Sequence, residues 1–183
     1  FVLLVSIAGA SCKFGGAGGL DEANKLNQSA GEDITEIEKI IQENKDKEGE
    51  VTRALNAENY DAAKKMMDDT ISSIDRGLSK GQSAADKLAR AAQLDIDPAI
   101  KEYLSLRAQS VGKAIEAFKE LRKGIVTFRD ATGSKDKAAI SKAKNEIQQS
   151  SQAFDALISE AQRLEGKADE IARRNPDKIK PGQ

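Results

Sequence analysis

Apolar residues from Leu20 onward recur at alternating steps of three and four positions, and nowhere do they alternate one by one. Steps of three and four place side chains on one face of an α-helix, whereas strict alternation is typical of a half-buried strand. The most regular stretch contains Ile100, Leu104, Val111, Ala114, Phe118, Leu121, Ile125 and Phe128. The pattern therefore predicts an all-α protein.

Residues that start or end helices divide this pattern into four segments. They are Asn56 to Asn59, Asp97-Pro98, Gly133-Ser134 and Asn175-Pro176. Asp before Pro suits a helix start, and Gly133 suits a left-handed helix end followed by a Ser134 cap. We therefore predict helices over residues 21–55, 59–93, 98–131 and 135–174. Because short connections join antiparallel neighbours, we expect residues 20–175 to form an up-down-up-down four-helix bundle with long, coiled-coil-like helices.

Three polar residues occupy positions of the apolar stripes, where burial is expected: Asn44, Glu48 and Arg107. A buried charge without a partner costs several kcal/mol, so these side chains must find partners or reach solvent. The antiparallel register puts Glu48 near Lys144 and Lys64 or Lys65, and Arg107 near Glu160 and Glu165. Polar layers that fix the register are the favoured interpretation, and a polar pocket for a small ligand is the alternative.

Four glycines interrupt the predicted helices: Gly77, Gly81, Gly112 and Gly124. Each costs about 1 kcal/mol relative to alanine inside a helix. We expect each to mark a close approach of another helix, and close approach by a bound group is the alternative.

Composition excludes several kinds of chemistry. The chain has 183 residues, no histidine, 29 basic and 30 acidic residues, and a net charge of −1. Without histidine there is no haem ligation by His, no Ser-His-Asp triad and no Glu-x-x-His di-iron site. The balanced charge and the 4% aromatic content argue against nucleic acid as a partner. We expect no cofactor, no metal and no catalysis; an enzyme that uses only carboxylates and lysines is the alternative.

The first ten residues, FVLLVSIAGA, are uncharged and apolar, and Cys12 is the only cysteine. This run is too short to span a bilayer, which takes about 20 helical residues, and it matches the apolar region of a secretory signal. Gly9-Ala10-Ser11-Cys12 resembles the lipobox of bacterial lipoproteins, although Gly9 stands where Leu is usual. The resemblance implies that residues 1–11 are a signal-peptide remnant and that Cys12 carries a lipid. The protein would then lie outside the cytoplasm, anchored at the periplasmic face or the cell surface.

The Gly-rich residues 12–19 are then expected to be a flexible tether, and residues 176–183 a polar tail. The leading hypothesis is a membrane-tethered, non-catalytic binding or scaffold module with an unidentified protein partner. Tyr103, Leu106 and Ile158 would mark an apolar flank for that partner. One alternative is an accessory structural subunit of a larger membrane-bound complex. Another is a ligand-binding or sensory bundle in which Asn44, Glu48 and Arg107 line a cavity rather than pair with one another.

Overall fold

The computed structural model describes residues 13–14, 19–44 and 47–180. Their helices are α1 (Leu20–Asn44), α2 (Lys47–Asn56), α3 (Tyr60–Ala92), α4 (Pro98–Ser134) and α5 (Lys137–Arg174), with two short strands, β1 (Lys13–Phe14) and β2 (Ile179–Lys180). The predicted all-α four-helix bundle is confirmed. Helices α1 and α2 together occupy the first predicted segment, and α3, α4 and α5 occupy the other three.

Side-chain caps start three of the helices. Asn59 accepts a hydrogen bond from the backbone N–H of Ala62 at 3.2 Å, and Asp97 accepts one from Ala99 at 2.9 Å, each satisfying a helix N–H that has no partner within the helix. The predicted boundary at Gly133 and Ser134 is wrong, because α4 continues through both residues. Lys135 adopts the left-handed conformation with φ of 57°, and Asp136 caps α5 through the N–H of Ala138 at 2.9 Å.

Neighbouring helices follow the order α1, α3, α4, α5 around the bundle, and α2 packs on α3. In a closed square bundle α1 would also pack along α5, but these two helices come close to each other at almost no point. The larger part of the core lies toward the start of α1 and includes Ile34, Leu88 and Leu104. A second apolar cluster near the α2 end is formed by Ala63, Met67, Phe128, Ile140 and Ala143.

The two short strands pack both ends of the described chain against the bundle. Strand β1 pairs antiparallel with β2, with Phe14 opposite Ile179. Phe14 and Ile179 are buried, and the Phe14 ring meets Tyr103 edge to face at 6.0 Å. The Asn24 side chain accepts from the Phe14 N–H at 2.8 Å and donates to its carbonyl at 3.2 Å. The predicted flexible tether and polar tail are therefore wrong for residues 13–14 and 179–180; Cys12 and residues 1–11 lie outside the described residues.

The expected apolar flank belongs largely to the core. Tyr103 and Ile158 are buried, and Leu106 is partly buried against the same cluster. Burial removes these side chains from the surface that a protein partner would contact. No helix in the described part of the chain is long and apolar enough to cross a membrane.

The four glycines divide into two groups. A Cβ atom built on Gly124 would lie 2.7 Å from Ser150 Cβ, and one on Gly81 would lie 3.0 Å from Ile115 Cγ1, so the predicted close approach is confirmed at these two positions. At Gly77 and Gly112 a Cβ atom would have no neighbour within 4 Å, counting the described residues. The prediction is wrong there, and Gly77 instead borders empty space.

Candidate functional site

An apolar cavity of about 460 Å³ lies between the two core clusters and is lined by residues of all five helices. Its volume is within the range of about 300–1,000 Å³ that is usual for small-molecule sites. The lining includes six isoleucines, and the rings of Phe118 and Phe154 meet edge to face at 5.4 Å on one wall. The apolar lining side chains are Ile37, Ile40, Ile41, Val51, Leu55, Met67, Ile74, Phe118, Leu121, Ile125, Phe128, Ile147 and Phe154.

The sequence explains why the core is unfilled at this level. The stripe of the first segment supplies Ile34, Ile37 and Ile41. The next position of the stripe is Asn44, and it lacks the large apolar side chain that would fill the interior at this level. Opposite, α3 presents Gly77, which has no side chain, and α1 and α5 remain apart. Short or polar residues on one side and separated helices on the other therefore leave the space open.

The cavity opens to solvent between α1 and α2 on one side and α5 on the other. The exposed lining residues are Gln42 of α1, Thr52 and Asn56 of α2, and Lys144 of α5. Every described lining residue of α3 and α4 is buried or partly buried, so these two helices form the floor. A ligand would enter through the gap between α1/α2 and α5.

The cavity is open to solvent, so water occupies it when no ligand does. Water gains little in such a space because an apolar lining offers few hydrogen bonds, whereas an apolar molecule restores the missing contacts. The physical preference of the site is therefore for an apolar occupant.

Few polar groups reach the cavity, and among described side chains the charged ones are both lysines, Lys47 and Lys144. Neither lysine forms an ion pair with a carboxylate of the described residues. Asn44 donates from Nδ2 to the Ile40 carbonyl at 2.6 Å, and its Oδ1 is buried without a hydrogen-bond partner in the described structure. That oxygen is an acceptor available to a hydroxyl or amide group of a ligand.

The predicted polar residues do not form one site. Asn44 lines the cavity, whereas Arg107 belongs to a separate polar layer nearer the start of α1. Glu48 lies in α2, but its side chain is outside the described part of the structure, as is the lipidation candidate Cys12. The alternative in which all three polar residues line one pocket is therefore wrong for Arg107.

Arg107 is 1% exposed and joins three helices. Its Nε donates to Glu165 Oε1 of α5 at 3.2 Å, and its Nη1 donates to Asn27 Oδ1 of α1 at 3.2 Å. Burial raises the pKa of Glu165, and the positive charge of Arg107 opposes that rise. The other expected neighbour, Glu160, instead lies 3.4 Å from Lys113 Nζ. This layer has the paired geometry of a register-fixing element.

A second charged cluster joins α1 to α3. Asp33 is buried and accepts hydrogen bonds from Ser83 at 2.7 Å, Lys80 at 3.1 Å and Lys87. Burial alone would raise the pKa of Asp33, but these three donors together lower it below its usual value. The carboxylate is fully occupied by neighbours, so the cluster has no open position for a ligand.

Sequence reasoning gave a polar pocket at Asn44 only as an alternative, and it did not identify the apolar lining or the place of the two lysines. Two signals were available: Asn44 in the first stripe, for which a polar layer was the favoured interpretation, and the helical Gly77, for which helix packing was. Lys47 and Lys144 lie among many other charged residues of the helix faces, and no spacing distinguishes them. Within the described residues no group of three His, Cys, Asp or Glu side chains is arranged to hold a metal ion.

Comparison with protein-family models, with characterised proteins and with solved structures finds no significant match. The cavity and its lining are therefore the observations from which a function can be inferred.

Proposed function

We propose that this protein is a non-catalytic binding module that holds a small apolar molecule in the cavity between α1/α2 and α3–α5. The observation that carries the proposal is the cavity itself, about 460 Å³ in volume, with a mostly apolar lining and an opening between α1/α2 and α5. Among the sequence-based hypotheses, this favours the ligand-binding bundle. The scaffold hypothesis has less support, because Tyr103 and Ile158 of its expected docking flank are buried.

The size of the cavity favours a small molecule over a fifth helix from a partner protein. Its volume of about 460 Å³ lies within the range that small-molecule sites usually have.

Filling the cavity from within is expected to prevent ligand binding without destabilising the fold. In Gly77→Leu the new side chain enters space where a Cβ atom has no neighbour within 4 Å, and leucine is a better helix former than glycine. We expect the affinity for N-phenyl-1-naphthylamine, a neutral apolar dye, to fall about tenfold or more, a loss of at least ~1.4 kcal/mol. Fluorescence titration measures this change, and thermal unfolding followed by circular dichroism checks that the variant is folded.

Gly112→Leu is the matched control. Gly112 is also a helical glycine with no neighbour within 4 Å of its Cβ position, but it does not line the cavity. We expect it to bind the dye as the original protein does. Absence of dye binding to the original protein, or equal binding by both glycine variants, would refute the proposed function.

We also propose that the module is tethered to a bacterial membrane by a lipid on Cys12. The support is the lipobox-like sequence at residues 9–12, which follows an uncharged and almost wholly apolar run. We expect the intact mass of the protein extracted from membranes to correspond to a chain that begins at Cys12 and carries added acyl groups. A Cys12 without acyl mass, in a chain that retains the preceding residues, would contradict the tether while leaving the cavity proposal unaffected.

A further inference from the structure

We infer that the ligand is a single-chain amphiphile with an anionic head group, its chain in the apolar cavity and its head beside Lys47 and Lys144. The inference rests on the proposed function and adds the chemical class of the ligand. It starts from an asymmetry of charge: both lysines line the cavity, and no carboxylate does so among the side chains that the structure describes.

The lysines lie on the two sides of the opening. Lys47 is at the start of α2 and is partly buried, whereas Lys144 is on α5 and is exposed. Because α2 and α5 supply opposite edges of the gap, a head group held at the entrance would meet a cation from each side. The apolar floor formed by α3 and α4 contains Met67, Ile74 and Phe128, which suit an aliphatic chain.

Within the described residues, neither lysine has a carboxylate partner. Some lysines of the bundle have carboxylate partners, as Lys80 and Lys87 have in Asp33, whereas exposed lysines such as Lys119 have none among the described residues. No such partner holds Lys47 or Lys144 within the described residues, so a ligand anion would not have to displace a carboxylate. A cationic head group would meet two like charges at the same opening and is disfavoured.

Displacement of N-phenyl-1-naphthylamine tests the inference, with oleate, its neutral methyl ester and dodecyltrimethylammonium as competitors below their micelle-forming concentrations. We expect oleate to displace the dye at about one tenth of the concentration that the ester needs. Each pair formed by the carboxylate of oleate and one lysine is expected to raise the affinity a few-fold. Dodecyltrimethylammonium should be the weakest competitor. The preference for oleate should decrease as salt is added, because salt screens the lysines.

The variant Lys47→Gln/Lys144→Gln should lose about tenfold in apparent affinity for oleate and keep its affinity for the dye and for the ester. Lys119→Gln/Lys167→Gln is the matched control, because both lysines are exposed, lie outside the cavity lining and have no ion pair among the described residues. Unchanged dye binding shows that each variant is folded.

Equal displacement by oleate and its ester, or an unchanged oleate affinity in the double variant, would overturn the anionic class and leave the cavity proposal standing. Failure of the dye to bind the original protein would overturn both.

Discussion

Replacing Arg107 with methionine is expected to lower the free energy of unfolding by about 3–5 kcal/mol, the usual cost of breaking a buried ion pair. Methionine retains much of the length and the apolar packing of the arginine stem but removes the guanidinium group. The Glu165 carboxylate would then lose the cation 3.2 Å away, and Asn27 Oδ1 would lose a donor at the same distance. Urea unfolding followed by circular dichroism measures the loss.

The double variant Arg107→Met/Glu165→Leu is the control for this prediction. A buried ion pair that is replaced entirely by apolar side chains of similar size is often neutral in stability, because no charge is left without a partner. We expect the double variant to recover most of the loss of the single variant. A double variant as unstable as the single one would show that the packing of Arg107, including its contact with the Tyr103 ring at 5.8 Å, carries the effect instead.

The effect of pH distinguishes these explanations further. Burial raises the pKa of Glu165 above its ordinary value of 4.5, and a negative charge on Asp169 adds to that rise. A carboxyl whose pKa is higher in the folded state than in the unfolded state binds its proton more tightly when the protein is folded. Its contribution to stability therefore falls as pH rises from the unfolded-state pKa to the folded-state pKa. Removing Arg107 widens this interval. The destabilisation of Arg107→Met should therefore shrink as pH is lowered toward 4.5, and a deficit independent of pH would contradict the ion-pair explanation.

Replacing Gly124 with alanine is expected to cost about 1–3 kcal/mol, as overpacking of a close contact usually does. The added methyl group would lie 2.7 Å from Ser150 Cβ and 3.3 Å from the Ile147 Cα atom. The positions of Cα and Cβ atoms are set by the backbone, so a rotamer change relieves neither contact and α4 must move away from α5. The midpoint of urea unfolding measures the change.

Gly112→Ala is the matched control for the Gly124 prediction. It places the same substitution on the same helix at a position with no neighbour within 4 Å, where alanine should stabilise the protein by about 0.5–1 kcal/mol. Ser150→Gly removes the nearest atom, so it should cost less stability when Gly124→Ala is present than in the original protein. If both alanine variants stabilise the protein equally, the distance between α4 and α5 at Gly124 is larger than in this structure.

The residues that sequence reasoning interpreted correctly act over short distances. Asn59 and Asp97 cap helices through N–H groups two or three residues away, and the stripe of α4 repeats at the helical period. At Gly133 and Ser134 the same reasoning placed a boundary two residues early: Lys135 adopts the left-handed conformation and Asp136 caps α5. Local signals therefore located the helices and left only their ends to be corrected.

Pairings between helices were predictable only in part. Antiparallel register correctly placed Arg107 beside Glu165, because helices of known direction and rise bring fixed levels together. The same register allowed Glu160, which pairs with Lys113. The two acids are five residues apart, about 7.5 Å along α5, so both lie near the level of Arg107 but on different faces of the helix. Phe14 and Ile179 are single apolar residues in polar or Gly-rich surroundings, and periodicity cannot reveal their burial.

By itself, the sequence determined the all-α bundle, its helix directions and the presence of polar residues in its core, because capping and helical periodicity depend on neighbours within a few positions. Tertiary structure alone decided that α1 and α5 stay apart, that Gly77 and Asn44 line the resulting space, and that Lys47 and Lys144 line it as well. A cavity is the volume left over when several helices pack. Its size depends on small separations between residues far apart in the chain, and no local pattern records them.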